Sequence, residues 1–224
     1  MSEMKRYIAE TIGTFSMVFC GTGAMTINEI TGGAVTHPGV AITWGLIVMA
    51  MIYAFGDISG AHFNPAVTVA FAYAKKFSWK EVPKFILAQC LGAIAASSIL
   101  LFLFPESEFL GATLPSFEPY KAFVLEILLA FFLMLVIINV STGAKEIGII
   151  AGIAIGSVVL LEAMFAGPMT KASMNPARSL GPALLSGNLQ HLWLYLTAPF
   201  IGALLAVVSC KLVKDEQCCD ASDC

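Results

Sequence analysis

The chain has 224 residues, 58% hydrophobic and only 12% charged, with a mean hydropathy of +0.85. Soluble domains average about 25% charged residues, so this composition belongs to a membrane protein. Net charge is −3 and the 12 Lys and Arg residues form no long run, which argues against nucleic acid as a partner.

The first apolar stretch, residues 7–27, lacks a small-residue cleavage site and reads as a retained helix rather than a signal peptide. Five more stretches follow, at 39–55, 83–104, 120–140, 147–165 and 191–213. Each is long enough to cross about 30 Å of hydrocarbon. Between them lie two shorter apolar stretches, 64–73 and 175–185. At about 1.5 Å per residue each covers roughly half a bilayer, so two meeting end to end would make one crossing. Non-helical chain at that depth is tolerated only where it lines a polar cavity. The expected fold is therefore an all-α membrane protein with six transmembrane helices and two re-entrant half-helices.

If the six segments alternate, Lys5, Arg6, Lys75, Lys76, Lys80, Lys84, Lys145, Lys211 and Lys214 share one side. That side is expected to be cytoplasmic, with both termini inside a cell (inner) membrane. Residues 104–120 carry Glu106, Glu108 and Glu118 and face outward in this reading.

The chain repeats itself. Ala9-Glu10 opens one half and Leu125-Glu126 holds the matching place in the other. Gly45 precedes Asn64 by 19 residues, and Gly156 precedes Asn175 by the same 19. Each half has three crossings, an odd number, so the halves are inverted and place a functional site between them. One channel domain is expected over 1–214, with repeats at about 5–105 and 118–214 and a short cytoplasmic tail at 215–224.

Both short segments begin with one tripeptide, Asn64-Pro65-Ala66 and Asn175-Pro176-Ala177. Asn is a favoured N-cap, and Pro suits the first helical position because its missing N–H would be unpaired there. One copy signals an ordinary capped helix. Two copies, each opening a half-length helix at the same place in an inverted repeat, signal a pore. Two helix N-termini would then converge, each with about half a positive charge. The Asn64 and Asn175 amides would donate to a passing molecule. The chains before them, Gly60-Ala61-His62 and Lys171-Ala172-Ser173, read as extended lines of carbonyl acceptors. A positive centre repels cations and interrupts a proton-conducting water wire. Arg178, three places after Asn175, puts a permanent charge at membrane depth and so marks a functional position.

Over residues 5–214 the sequence resembles the aquaporin and glycerol-facilitator family, in the runs 59–68 and 173–179 around the two tripeptides and in 10–15 of the first helix. The resemblance implies an hourglass pore with the Asn-Pro-Ala tips touching at its centre, four chains per assembly and no cofactor. It also implies a narrow filter of Trp44, Ala163, Ala172 and Arg178. Without a His in the fifth helix, that set is similar to the nodulin-26-like and glycerol-conducting members. The implied cargo is small and neutral: water and glycerol, with urea, ammonia and metalloid acids as further candidates. Glu10 and Glu126 are expected to accept hydrogen bonds from the re-entrant loops, a structural role. His62 is expected to be a wall residue, with a titrating gate as the alternative. Glu162, beside Ala163, is expected to pair with Lys171 or Arg178 or to face a wet vestibule. Asp57 is expected to cap a loop near the cytoplasmic entrance.

Cys20, Cys90 and Cys210 lie in apolar segments as packing residues. Cys218, Cys219 and Cys224 crowd the polar tail, which reads as solvated, with soft-metal binding or lipidation as alternatives. A secondary transporter would also show inverted repeats and broken helices, but it needs an intramembrane ion site, for which Glu10, Glu126 and Glu162 are the candidates. An enzyme is the remotest reading, because His37, His62 and His191 are scattered and no metal-ligand cluster or phosphate loop occurs.

Overall fold

A computed structural model describes residues 3–141 and 150–213. The expectations placed on Lys145, Lys214, the start of the fifth segment and the tail cysteines lie outside those residues. Eight helices are described: α1 (Glu3–Ile30), α2 (Thr36–Ser59), α3 (Pro65–Tyr73), α4 (Val82–Leu103), α5 (Pro119–Val140), α6 (Ala151–Thr170), α7 (Pro176–Ser186) and α8 (Leu192–Val213). The order is long, long, short, long, then the same again. Helices α2, α4, α5, α6 and α8 are long and apolar enough to cross a membrane by length and composition. Helix α1 has 28 residues, but Glu10 and a run of Thr and Gly make it the most polar long helix.

The expected starts hold because the capping chemistry is local. Asn64 and Asn175 sit at extended N-cap angles, and their side chains accept from Ala66 N and from Ala177 N and Arg178 N. The short helices end where the chain turns into Ala74 and Gly187.

Packing repeats as well. Helix α1 lies against α2 and α4, and α5 against α6 and α8. Each short helix docks on the last helix of the other half, α3 on α8 and α7 on α4. The halves also meet where α2 crosses α6. A Cβ on Gly45 would stand 2.6 Å from Gly156 O, and one on Gly156 would stand 2.7 Å from Gly45 O. Only glycine lets the backbones approach this closely. The outer faces keep large apolar residues exposed, among them Phe102, Tyr120, Leu161 and Leu212, as suits a surface solvated by lipid.

Candidate functional site: the crossed loops and the channel through them

The loops ahead of α3 and α7 share a backbone pattern that the sequence reading did not foresee. Positive φ occurs at Gly60, Ala61 and Phe63, and at Lys171, Ala172 and Met174. These are the same three positions relative to Asn64 and Asn175. The expected extended chains are instead left-handed turns, five of the six on residues with a Cβ. Such conformations cost of order 1 kcal/mol each and persist where the surroundings hold them.

Two buried carboxylates do the holding. Glu10 accepts from His62 N at 3.0 Å, Phe63 N at 2.7 Å, Ser59 Oγ at 2.6 Å and Gln89 Nε2 at 2.8 Å. Glu126 accepts from Ser173 N and Met174 N, both at 2.9 Å. With those N–H groups turned into the protein, the carbonyls of Gly60, Ala61, His62, Lys171, Ala172 and Ser173 accept no hydrogen bond from the described residues. A row of unpaired carbonyls is affordable only beside water or a polar solute.

The tips are tied to each other. Asn64 Nδ2 donates to Met174 O and Asn175 Nδ2 donates to Phe63 O, both at 2.8 Å. A carboxamide has two N–H bonds, so each Asn keeps one for another acceptor. The N-termini of α3 and α7 thus meet with their partial positive charges together.

A cavity of about 780 Å³ passes this point, lined by Asp57, Gly60, Ala61 and His62, by both Asn residues, and by Val159, Ala163, Ala172, Ser173 and Arg178. A second cavity of about 510 Å³ is lined by Met25, Glu29, Gly111, Gly167 and Lys171. Trp44 and Ala163 line both, so the two volumes adjoin at these residues. Arg178 stands at that junction. Its guanidinium lies 4.7 Å from the Trp44 ring centroid, Nη1 donates to Gly111 O at 2.9 Å, and Nη2 contacts Met25 Sδ at 3.0 Å. Among the described residues no carboxylate lies within ion-pair distance of it. No contact ion pair neutralises the charge, which lines the larger cavity with the Glu126 carboxylate acting on it from farther off.

Trp44, Ala163, Ala172 and Arg178, the four residues of the expected filter, all line the larger cavity. Two other residues, Glu162 and Asp57, depart from expectation, and His62 does not. Glu162 neither pairs with Lys171 or Arg178 nor faces a wet vestibule: it is 1% exposed, lines neither cavity, and both oxygens lack a hydrogen bond among the described residues. The reason is packing rather than helical rotation: at about 100° per residue Glu162 falls within the arc of α6 that carries Ala151 and Ile155, yet its side chain is enclosed by protein. Asp57 is not a loop cap but an exposed residue in the last turn of α2, at the cavity wall. The His62 ring packs among Phe71, Phe77 and Phe85, with Nδ1 3.1 Å from Thr68 Oγ1, which is a wall residue's place. Sequence reasoning missed Met25, Gly111, Ser59 and Gln89, none of which stands near its partner in the chain.

Comparisons with known proteins agree with this geometry. Aquaporin NIP1-1 of Zea mays is 47% identical over 212 residues, covering 94% of this chain and 75% of that protein. Nodulin-26 of Glycine max is 46% identical over 213 residues, covering 94% and 78%. The X-ray structure of the aquaglyceroporin from Plasmodium falciparum superposes with a TM-score of 0.84 at 29% identity, over 95% of this chain and 99% of that one. The profile of the Major intrinsic protein family matches residues 1–209. With two crossed Asn-capped half-helices inside six long ones and that match along nearly its whole length, the chain belongs to the Major intrinsic protein family.

Proposed function

We propose that the chain is a passive pore for water and small uncharged solutes that admits glycerol and excludes ions and protons. Its family consists of channels, not enzymes, and the protein is a channel for water and small solutes. The observation that carries the finer reading is the constriction. Arg178 lies over Trp44, and Ala163 and Ala172 line the same cavity. Two alanines leave room where larger residues would fill the opening. The Trp44 ring offers an apolar wall for the CH groups of a polyol, worth about 0.8 kcal/mol per CH₂-sized group removed from water. The guanidinium and the carbonyl row take its hydroxyls.

Exclusion of cations follows from the Arg178 charge and the two helix N-termini. The same charges, together with the Asn64 and Asn175 amides, orient a central water so that it donates outward in both directions. A transporter reading is disfavoured because Glu10 and Glu126 are committed to loop N–H groups and Glu162 lines neither cavity. Four chains per assembly and cytoplasmic termini complete the proposal. The second is supported by the basic end of the molecule, where Lys84 pairs with Glu3 and Glu81 and Lys211 lies over Tyr73.

The test is stopped-flow water and glycerol flux in proteoliposomes of wild type and of Ala163→His, Ala172→Thr. The double variant is expected to lose far more glycerol flux than water flux. Equal losses in both would defeat the filter assignment while leaving the channel class intact.

A further inference from the structure

The guanidinium of Arg178 has five N–H bonds. One goes to a strong acceptor, Gly111 O, and Nε has no partner although it is buried. The other contact, from Nη2, is to the Met25 sulfur at 3.0 Å. Met25 belongs to α1, 153 residues from Arg178 in the chain, and lines the smaller cavity together with Trp44 and Ala163. We propose that Met25 is a fifth member of the filter, a specificity residue that positions Arg178, and that oxidation of its thioether by a small hydroperoxide lowers polyol permeability. The proposal rests on the filter reading above.

A thioether is a polarisable body and a poor acceptor. It therefore holds the guanidinium laterally against Trp44 and Gly111 while leaving the Nη2 and Nε hydrogens able to bind a solute hydroxyl. A carbonyl at that place would take the hydrogen for itself. An aliphatic chain would leave the planar group without a polar contact on that side. Met25 is part-buried in the lining of a cavity that small neutral molecules must enter, which gives a hydroperoxide a route to its sulfur. The sulfur lone pair attacks the distal oxygen, the O–O bond breaks, an S–O bond forms, and water or an alcohol leaves. The sulfur loses two electrons and the peroxide gains them. The product sulfoxide carries a strong acceptor oxygen, which captures the Arg178 N–H and adds one heavy atom to the narrowest section. Polyols, which need both the width and the donor, are affected more than water. The change is chemically reversible, since sulfoxide is a substrate for reductases.

The test treats proteoliposomes of wild type, Met25→Leu and Met25→Gln with hydrogen peroxide. Peptide mass spectrometry follows oxygen addition at Met25, and stopped flow follows glycerol and water. The chain has ten methionines, and Met17 and Met174 line the larger cavity, so the Leu variant isolates position 25. In wild type the glycerol-to-water ratio should fall roughly ten- to a hundredfold, the range that one hydrogen bond to a charged group commands, in step with the Met25 sulfoxide. Met25→Leu should not respond to peroxide, and Met25→Gln should start with the low ratio. Full oxidation of Met25 at an unchanged ratio would overturn the proposal. So would an equal response of the Leu variant, or a Met25 left unmodified while other methionines oxidise. Glycerol flux in untreated wild type reports on the filter reading separately.

Discussion

The loop ahead of Asn64 and the loop ahead of Asn175 have one backbone shape, yet three residues later one half carries Val67 and the other Arg178. The anchors differ too. Glu10 is held by four donors, two from side chains, whereas Glu126 has its two backbone N–H groups and the Thr170 hydroxyl close by. In the first half the residues two before and four after Asn64 are His62 and Thr68, joined at 3.1 Å. Their counterparts, Ser173 and Ser179, are joined at 2.5 Å, and Ser179 also meets Thr113 at 2.9 Å. The repeat therefore conserves what the backbone needs, a capped half-helix and a buried acceptor for its loop. The fixed charge of Arg178 is added to the second half alone, where the smaller cavity adjoins the larger.

Removing the anchors should give the largest effect and should separate the halves. Glu10→Ala orphans four buried donors and Glu126→Ala orphans two backbone donors, at about 1–3 kcal/mol for each buried group left unsatisfied. Both variants should lose thermal stability in detergent and most solute flux, Glu10→Ala more. Equal melting shifts would mean that the hydrogen-bond count does not set loop stability.

Arg178→Val puts into the second half the residue that the first half already has. Stability should change little beyond the lost contacts to Trp44 and Gly111, because the orphaned groups adjoin a wet cavity. Selectivity should change sharply, seen as proton or cation conductance under voltage clamp where wild type shows none. A variant as tight as wild type would assign exclusion to the helix N-termini alone.

Glu162 is the second half's unexplained cost: its counterpart in the first half, by the Gly45 and Gly156 alignment, is the apolar Met51. A buried carboxyl without partners is costlier than a neutral amide of the same shape. Glu162→Gln should melt at or above the wild-type temperature with water flux retained. A destabilised or inactive variant would show that the carboxyl has a partner.

The smallest effect lies at the basic end. Tyr7 Oη donates to Glu81 at 2.5 Å and Lys84 Nζ pairs with it at 2.9 Å, which together hold the Glu81 carboxyl below its ordinary range. A lowered folded value gives stability that is complete above the ordinary carboxylate pKa and is lost as pH falls through the folded one. Wild type should therefore melt slightly earlier on acidification below about pH 4. The part of that shift due to Glu81 should vanish in Glu81→Gln. An identical acid shift in the variant would place the titration elsewhere.

Much of this could be read from the sequence because the governing physics is short-ranged. Asn-Pro caps a helix using its own next two residues, so both half-helices and their starts followed from six letters. The spacing of Gly45 and Gly156 from the two Asn residues exposed the repeat. What escaped reading involves partners far apart in the chain or backbone angles that no residue type announces. Asn64 reaches Met174 across 110 residues, and Met25 reaches Arg178 across 153. The left-handed turns fall on Ala61, Phe63, Lys171, Ala172 and Met174, none of which favours that region. Glu162 was misjudged because helical position does not announce enclosure: it shares an arc of α6 with Ala151 and Ile155, yet its side chain is 1% exposed and lines neither cavity.

The central claim is that neutral polyols pass the opening edged by Trp44, Ala163, Ala172 and Arg178 while charge does not. The most direct measurement takes wild-type protein reconstituted in one lipid preparation and records glycerol uptake by stopped flow and current under voltage clamp. Glycerol uptake well above that of protein-free vesicles, with no steady ionic current, is the predicted result. Glycerol uptake no faster than in protein-free vesicles, or a steady current of ions or protons, would contradict it.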